Sequence, residues 1–191
     1  MLLFQKNYEG KTDEELMSLL ANGGKAAFDE LYKRYATPLL NFFYRMLNGE
    51  REKAEDFLHD LFLKIIENPQ RFDHSRKFSA WFYSLAANMV KNEYRNAQLH
   101  SEHLQILGNL HNETTRQNEE TIDKKLFYDY LQIEISKLDA ETRTLFNLRF
   151  EEEMSIKQIA GILECPEGTI KSRLFYLTQQ LAKKLSIFKP K

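Results

Sequence analysis

Cysteine occurs once in these 191 residues, at Cys165. No internal disulfide can form, and a reducing cytoplasm suits such usage. Proline and glycine are scarce, at four and seven, and no β-rich alternating segment stands out. No apolar run approaches the ~20 residues that a membrane-crossing helix needs. Met1-Leu2-Leu3-Phe4 breaks at Gln5-Lys6-Asn7, too soon for a secretory leader. Net charge is nearly absent: 27 basic against 28 acidic residues leave a formal −1. The common signatures of chemistry are missing as well. There is no Walker A loop, no His-Glu-x-x-His and no glycine-rich dinucleotide turn. His100 and His103 share a helical face, but a lone distant cysteine completes no zinc set. The expectation is a protein with no catalytic residue, no metal and no cofactor.

What remains is helical. Leu, Glu, Lys, Ala and Phe dominate, a composition that favours an all-α fold. Thr12-Asp13-Glu14-Glu15 forms a capping box ahead of Leu16, Leu19 and Leu20, and Asn22-Gly23-Gly24 ends that helix. A second helix carries Phe28, Leu31, Tyr32, Tyr35, Leu39, Phe42, Phe43 and Met46, with Pro38 expected to kink or interrupt it. A third runs from about Glu52 to Glu67 with Ala54, Phe57, Leu58, Leu61 and Ile65 inward; Asn68-Pro69 stops it. A fourth carries Phe78, Trp81, Phe82, Leu85, Ala86, Met89 and Val90 and fades near Arg95. From Asn96 to Asn118 the chain turns polar, as an interdomain tether would. Helical periodicity resumes at Ile122, and Asp139 caps a helix holding Leu145, Phe146, Leu148 and Phe150. The predicted fold is therefore all-α. It has two small helical domains, 1–97 and 122–191, joined by a flexible linker over 98–121.

The most informative segment is the last. Ile156, Ile159, Ala160 and Leu163 fall on one helical face behind the N-cap Ser155. Cys165-Pro166 breaks this helix, and a second begins around Glu167 with Ile170, Leu174, Leu177 and Leu181 as its apolar stripe. Lys171, Ser172, Phe175 and Tyr176 lie off that stripe. From Ser155 onward seven Lys and Arg face two Glu, a local excess that attracts phosphate. This is the pattern of a helix-turn-helix whose second helix reads the major groove. The same spacing also suits an αα-hairpin with a solvated lysine face. Cys165 reads as a small residue buried at the turn.

Three segments together resemble the extracytoplasmic-function (ECF) sigma factors of the sigma-70 family. Cys165-Pro166-Glu167-Gly168-Thr169-Ile170-Lys171-Ser172-Arg173-Leu174 resembles region 4.2 of that family. Ala54-Glu55-Asp56-Phe57-Leu58-His59-Asp60-Leu61-Phe62-Leu63-Lys64 resembles region 2.2. Phe78-Ser79-Ala80-Trp81-Phe82-Tyr83-Ser84-Leu85-Ala86-Ala87-Asn88 resembles regions 2.3 and 2.4. The order and spacing of all three carry the resemblance. Departures exist: His59-Asp60 replaces a frequent Gln-Glu, Asn92 a common Asp, and Tyr176 a frequent Arg. Glu164 stands where the turn often has Gly, so an uncommon backbone conformation costing about 1 kcal/mol is expected there.

The resemblance implies a cytoplasmic protein with three partners: core RNA polymerase through its β′ clamp, promoter DNA, and an anti-sigma factor. It implies that Glu55, Asp56, His59 and Asp60 bind the polymerase, although an acidic helix face is by itself usually only solvated. It places the −10 element on Phe78, Ser79, Trp81, Asn88, Lys91, Asn92 and Arg95. Tyr83 would add aromatic surface and His74 to Lys77 would clamp an extruded base. Trp81 at this spacing also suits a core. The −35 duplex falls to Thr169, Lys171, Ser172, Arg173, Phe175 and Tyr176, with Phe175 either on a thymine methyl or in the core. The rival readings are a stand-alone helix-turn-helix regulator and a protein-binding adaptor with a basic helix.

Overall fold

The computed structural model describes residues 8, 10–101 and 119–188, and side chains outside 98–101 and 119–124. The described residues form eight α-helices and no strand. They are α1 (Asp13–Ala21), α2 (Lys25–Met46), α3 (Arg51–Glu67), α4 (Phe78–Ser101), α5 (Glu119–Ser136), α6 (Ala140–Phe146), α7 (Ile156–Leu163) and α8 (Glu167–Lys184). The tether's middle, 102–118, lies outside the described residues, as do the side chains of His100 and His103. The two ends of the tether are helical.

Local chemistry sets these bounds. Thr12 Oγ1 accepts from Glu15 N and Glu15 Oε2 accepts from Thr12 N at 2.8 Å, a reciprocal cap that starts α1. Gly23 and Gly49 adopt φ of +84° and +82° in the turns after α1 and α2, where a Cβ would be strained. α2 runs unbroken through Pro38. The missing N–H weakens the helix at one point. Leu39, Phe42, Phe43 and Met46 are buried beyond it, and packing of that extent outweighs the lost bond. α4 also continues past Arg95, since no breaker follows and Tyr94 Oη donates to Met46 O at 2.5 Å.

The core of α1 to α4 is aromatic. Phe82 has ring neighbours Phe78, Phe62 and Tyr35 at 5.0, 5.3 and 5.6 Å, mostly edge-on, and each such pair adds about 0.5–1.5 kcal/mol beyond area burial. α2 packs along α3, and Lys53 of α3 pairs with Glu93 of α4 at 2.7 Å.

The C-terminal half is bound into this body. Leu145, Leu148, Met154, Ile159, Ile162 and Ile170 join the same apolar cluster as the N-terminal helices. A second cluster of Ile135, Leu138, Phe146, Leu177 and Leu181 ties α5 and α6 to α8. α6 does not continue as a regular helix to Phe150. It widens into a π turn over Asn147–Glu151, where Glu152 N donates to Asn147 O at 2.9 Å. Glu153 then takes φ 51° to leave the turn.

Candidate nucleic-acid interface

The helix-turn-helix is built as the spacing requires. Ser155 and Gln158 form a second capping box at the start of α7. Glu164 closes α7 in the left-handed conformation, φ 52°, ψ 40°, the strained geometry expected of a non-glycine residue there. Pro166 then caps α8. Ile170, Leu177 and Leu181 are buried. Lys171, Ser172 and Arg173 are exposed and Thr169 is half-buried. Phe175 is 56% exposed and Tyr176 68%. Their rings meet edge-on at 5.6 Å, so Phe175 belongs to the surface and not to the core. The exposed face of α8 thus presents cations, a hydroxyl and two aromatic rings in consecutive turns. Cys165 is half-buried, and its Sγ donates to Leu163 O at 3.3 Å.

On α4, Asn88, Lys91, Asn92 and Arg95 are exposed, and Ser79 and Trp81 are half-buried. Two aromatic expectations need correction. Phe78 is 0% exposed, enclosed by Tyr35, Phe72, Trp81 and Phe82, so it is a core residue and offers no face to a base. Tyr83 is buried as well, with its Oη donating to Glu152 at 2.5 Å. Burial and that bond push its phenol well above the ordinary range. Trp81 shares both characters: it packs on Phe72 at 5.2 Å and keeps one part open. The loop before α4, from Asp73 to Lys77, is exposed throughout.

On α3, Asp56, His59 and Asp60 are exposed and Glu55 pairs with Arg51 at 2.9 Å. The same stripe continues into exposed Leu63 and Ile66, which the sequence reading missed. Their helical spacing from His59 and Asp60 was the available signal. The surface is acidic at one end and apolar at the other.

α7 packs more extensively on α4 than on α8. Polar groups organise this contact between halves. Arg45 of α2 donates Nε to Asn147 Oδ1 at 2.6 Å and Nη2 to Glu152 Oε1 at 2.5 Å. Arg143, 5% exposed, donates Nη1 to Asn48 Oδ1 at 2.7 Å and to Tyr94 Oη at 2.6 Å. It also donates Nη2 to Ser136 O. Buried charges held this way specify an arrangement more than they add stability. Beside them lies a cleft of ≈ 340 Å³, its walls including Asn88, Lys91, Glu141, Cys165 and Arg173. Glu141 bridges Lys91 at 3.3 Å and Arg173 at 3.4 Å. Sequence reading missed this interface, because a lone Arg143 or Glu152 in a charged chain carries no periodic signal.

Among the described residues no group of three His, Cys, Asp or Glu is placed to hold a metal, and no helix is long and apolar enough to cross a membrane.

Comparison with known proteins agrees with this geometry. Residues 31–99 match the model of sigma-70 region 2, and residues 129–175 match that of sigma-70 region 4. One relative is the ECF RNA polymerase sigma factor SigW of Bacillus subtilis, 28% identical over 85% of this chain and 91% of its own. Another is the ECF RNA polymerase sigma-E factor of Haemophilus influenzae, 27% identical over 93% of this chain and 97% of its own. The fold also matches CnrH in the complex with the cytosolic domain of CnrY, with a TM-score of 0.68 and 20% identity over 92% of this chain and 97% of that one. RpoE of Bartonella quintana, in complex with the anti-sigma factor NepR, gives 0.62 at 20% identity over 84% and 99%. The chain belongs to the sigma-70 family, and the relatives it resembles are ECF sigma factors.

Proposed function

We propose that this ECF sigma factor brings core RNA polymerase to promoters by dividing the work among three helices. α3 docks on the polymerase β′ clamp through Asp56, His59 and Asp60, with Glu55 at the margin and Leu63 and Ile66 extending the contact. Acidic groups at helical spacing suit an Arg-rich partner. α4 and the loop before it read and open the −10 element. Asn88 meets a base edge, Lys91, Asn92 and Arg95 hold phosphates, and Trp81 and Ser79 flank the opened strand. α8 reads the −35 duplex through Lys171, Ser172, Phe175 and Tyr176, with Thr169 and Arg173 on phosphates.

The working units are 1–97 and 122–191, with 98–121 as the tether. Asn88 and Lys91 face Arg173 across the cleft, so the two DNA elements are bound after the halves separate. An anti-sigma factor, such as accompanies the Bartonella quintana relative, acts by keeping them together. The protein works in the cytoplasm and is not itself an enzyme; phosphodiester chemistry belongs to the polymerase. The exposed row Lys171, Ser172, Phe175 and Tyr176 on the second helix of the helix-turn-helix is the observation that carries this reading.

In vitro transcription with core polymerase and a genomic promoter library tests it. Promoter-specific initiation is expected. Failure to join core polymerase, together with no initiation at any template, refutes it. Lys171→Ala is expected to weaken −35 binding by about 1–3 kcal/mol.

A further inference from the structure

α1 lies outside the region 2 match, which begins at residue 31, yet it touches the loop that leads into α4. We propose that Glu14 is a positioning residue for −10 recognition: it caps α4 from a different helix and fixes the loop from Asp73 to Lys77. The inference rests on the reading of α4 given above.

The first N–H groups of a helix have no intrahelical partner. At α4 the residue before the helix is Lys77, whose side chain has no acceptor. Glu14 supplies one from α1: its Oε1 accepts from Phe78 N at 3.1 Å and lies 3.8 Å from Lys77 Nζ. Burial alone would raise the Glu14 carboxyl. The Phe78 N–H, its own backbone N–H, Lys77 and Thr12 together hold it below the usual range, as expected for a carboxylate at a helix N-terminus.

The loop has further ties to the same helix. Ser18 Oγ and His74 Nδ1 lie 3.4 Å apart. Asp73 Oδ1 accepts from Ser75 N at 2.9 Å, and the buried Phe72 packs against His74 at 4.8 Å. α1 is in turn fastened to α2. Arg34 donates to Asp13 at 2.8 Å and to Lys11 O at 2.9 Å, and Tyr35 Oη donates to Asp13 at 2.5 Å. A rigid route therefore runs from α2 through α1 to the entrance of α4. A loop that captures an unstacked base works when its geometry is set beforehand.

The test compares Glu14→Ala, Glu14→Gln and Glu15→Gln in reconstituted holoenzyme. Glu15→Gln removes an equal charge from the same turn of α1, keeps an acceptor for Thr12 N and leaves the Phe78 contact intact. Open-complex lifetime and permanganate reactivity of −10 thymines are read, alongside core affinity and the −35 footprint. Glu14→Ala should shorten the open complex about five- to tenfold, the scale of one lost charged cap. Glu14→Gln, which keeps an acceptor, should shorten it about two- to threefold. Glu15→Gln should resemble wild type, and core affinity and the −35 footprint should not change in any variant.

The proposal is overturned if Glu14→Ala matches wild type, or if Glu15→Gln loses as much lifetime as Glu14→Ala, which would mark a general weakening of α1. Asn88→Ala separates it from the underlying reading. If Asn88→Ala shortens the open complex and Glu14→Ala does not, only Glu14's role is lost. If neither does, the −10 reading of α4 falls as well.

Discussion

The two halves of this sigma factor are built from different materials. α1 to α4 enclose Phe42, Phe43, Phe78 and Phe82 without exposure, in a network of edge-on and tilted rings. The C-terminal half keeps a small cluster of its own around Leu177 and Leu181 and directs α7 onto α4. Where the halves meet, hydrophobic contact is interrupted by Arg45, Asn147, Glu152, Tyr83 and Arg143. Apolar burial is non-directional, whereas hydrogen-bonded charges such as Arg45 with Glu152 depend on each partner staying in place. The two halves also share the apolar cluster that holds Leu145, Leu148, Ile159 and Ile170, so the opening proposed above has to break apolar as well as polar contacts.

The largest test of that contrast lies in the aromatic core. Phe82→Ala should cost about 3–5 kcal/mol of unfolding free energy, the usual range for a fully buried phenylalanine. Urea melts followed by circular dichroism would register it as a loss of helix across the chain. A cost under about 1 kcal/mol would mean that the core is not as tightly packed as its ring distances indicate.

Next in size is the interface. Glu152 is the shared acceptor for Arg45 and Tyr83, and its side chain is only 10% exposed. Glu152→Ala leaves Arg45 without its main partner and should weaken closure by about 2–3 kcal/mol. Unlike Phe82→Ala, it should leave helix content unchanged and lengthen the distance between halves. Fluorescence energy transfer between dyes on α3 and α8 would show the lengthening. Loss of helix with no change in distance would contradict the division drawn here.

That division was half legible in the sequence. The capping boxes at Thr12 and Ser155, the break at Pro166 and the apolar periodicity of α3 and α8 are local signals, and local signals survive in a single sequence. That Glu164 needs an uncommon backbone was legible for the same reason; its left-handed sense is seen only in the fold. Phe78 and Tyr83 were not, because an aromatic residue at the start of an amphipathic helix fits a core or a platform equally well. The π turn at Asn147 was hidden too. It arises where Asn147 and Glu152 meet Arg45, over a hundred residues away in the chain. The persistence of α2 through Pro38 shows the converse, with tertiary packing overriding a strong local preference.

A smaller effect comes from the cap that sets Arg143 in place. Asp139 Oδ1 accepts from Thr142 N at 3.0 Å, and its Oδ2 accepts from Thr142 Oγ1 at 2.6 Å. Burial works against the carboxylate, but these bonds hold its pKa below the ordinary value. A pKa lowered by folding means stability that is present above the unfolded value of ~3.9. It is lost as pH falls through the folded value. Asp139→Ala should cost about 1 kcal/mol at neutral pH. Asp139→Asn should keep most of the cap while flattening the acid limb of the stability curve. Equal acid sensitivity in wild type and Asp139→Asn would remove Asp139 from this account.

The smallest change probes whether closure and DNA compete for the same cations. Glu141 sits between Lys91 of α4 and Arg173 of α8, one from each proposed DNA element. All three side chains are well exposed, so the pairs contribute only a few tenths of a kcal/mol to closure. Their placement matters more than their strength, since a phosphate and Glu141 cannot both occupy the gap between Lys91 and Arg173. Glu141→Gln should leave the melting curve within about 0.5 kcal/mol of wild type. It should raise duplex affinity about two-fold at low salt and steepen the dependence of affinity on salt, because two cations become free to displace counterions. Fluorescence anisotropy over a salt series would measure both. If affinity and slope stay unchanged in Glu141→Gln while Glu152→Ala opens the chain, closure does not compete with phosphate through Glu141, which is then an incidental surface pair.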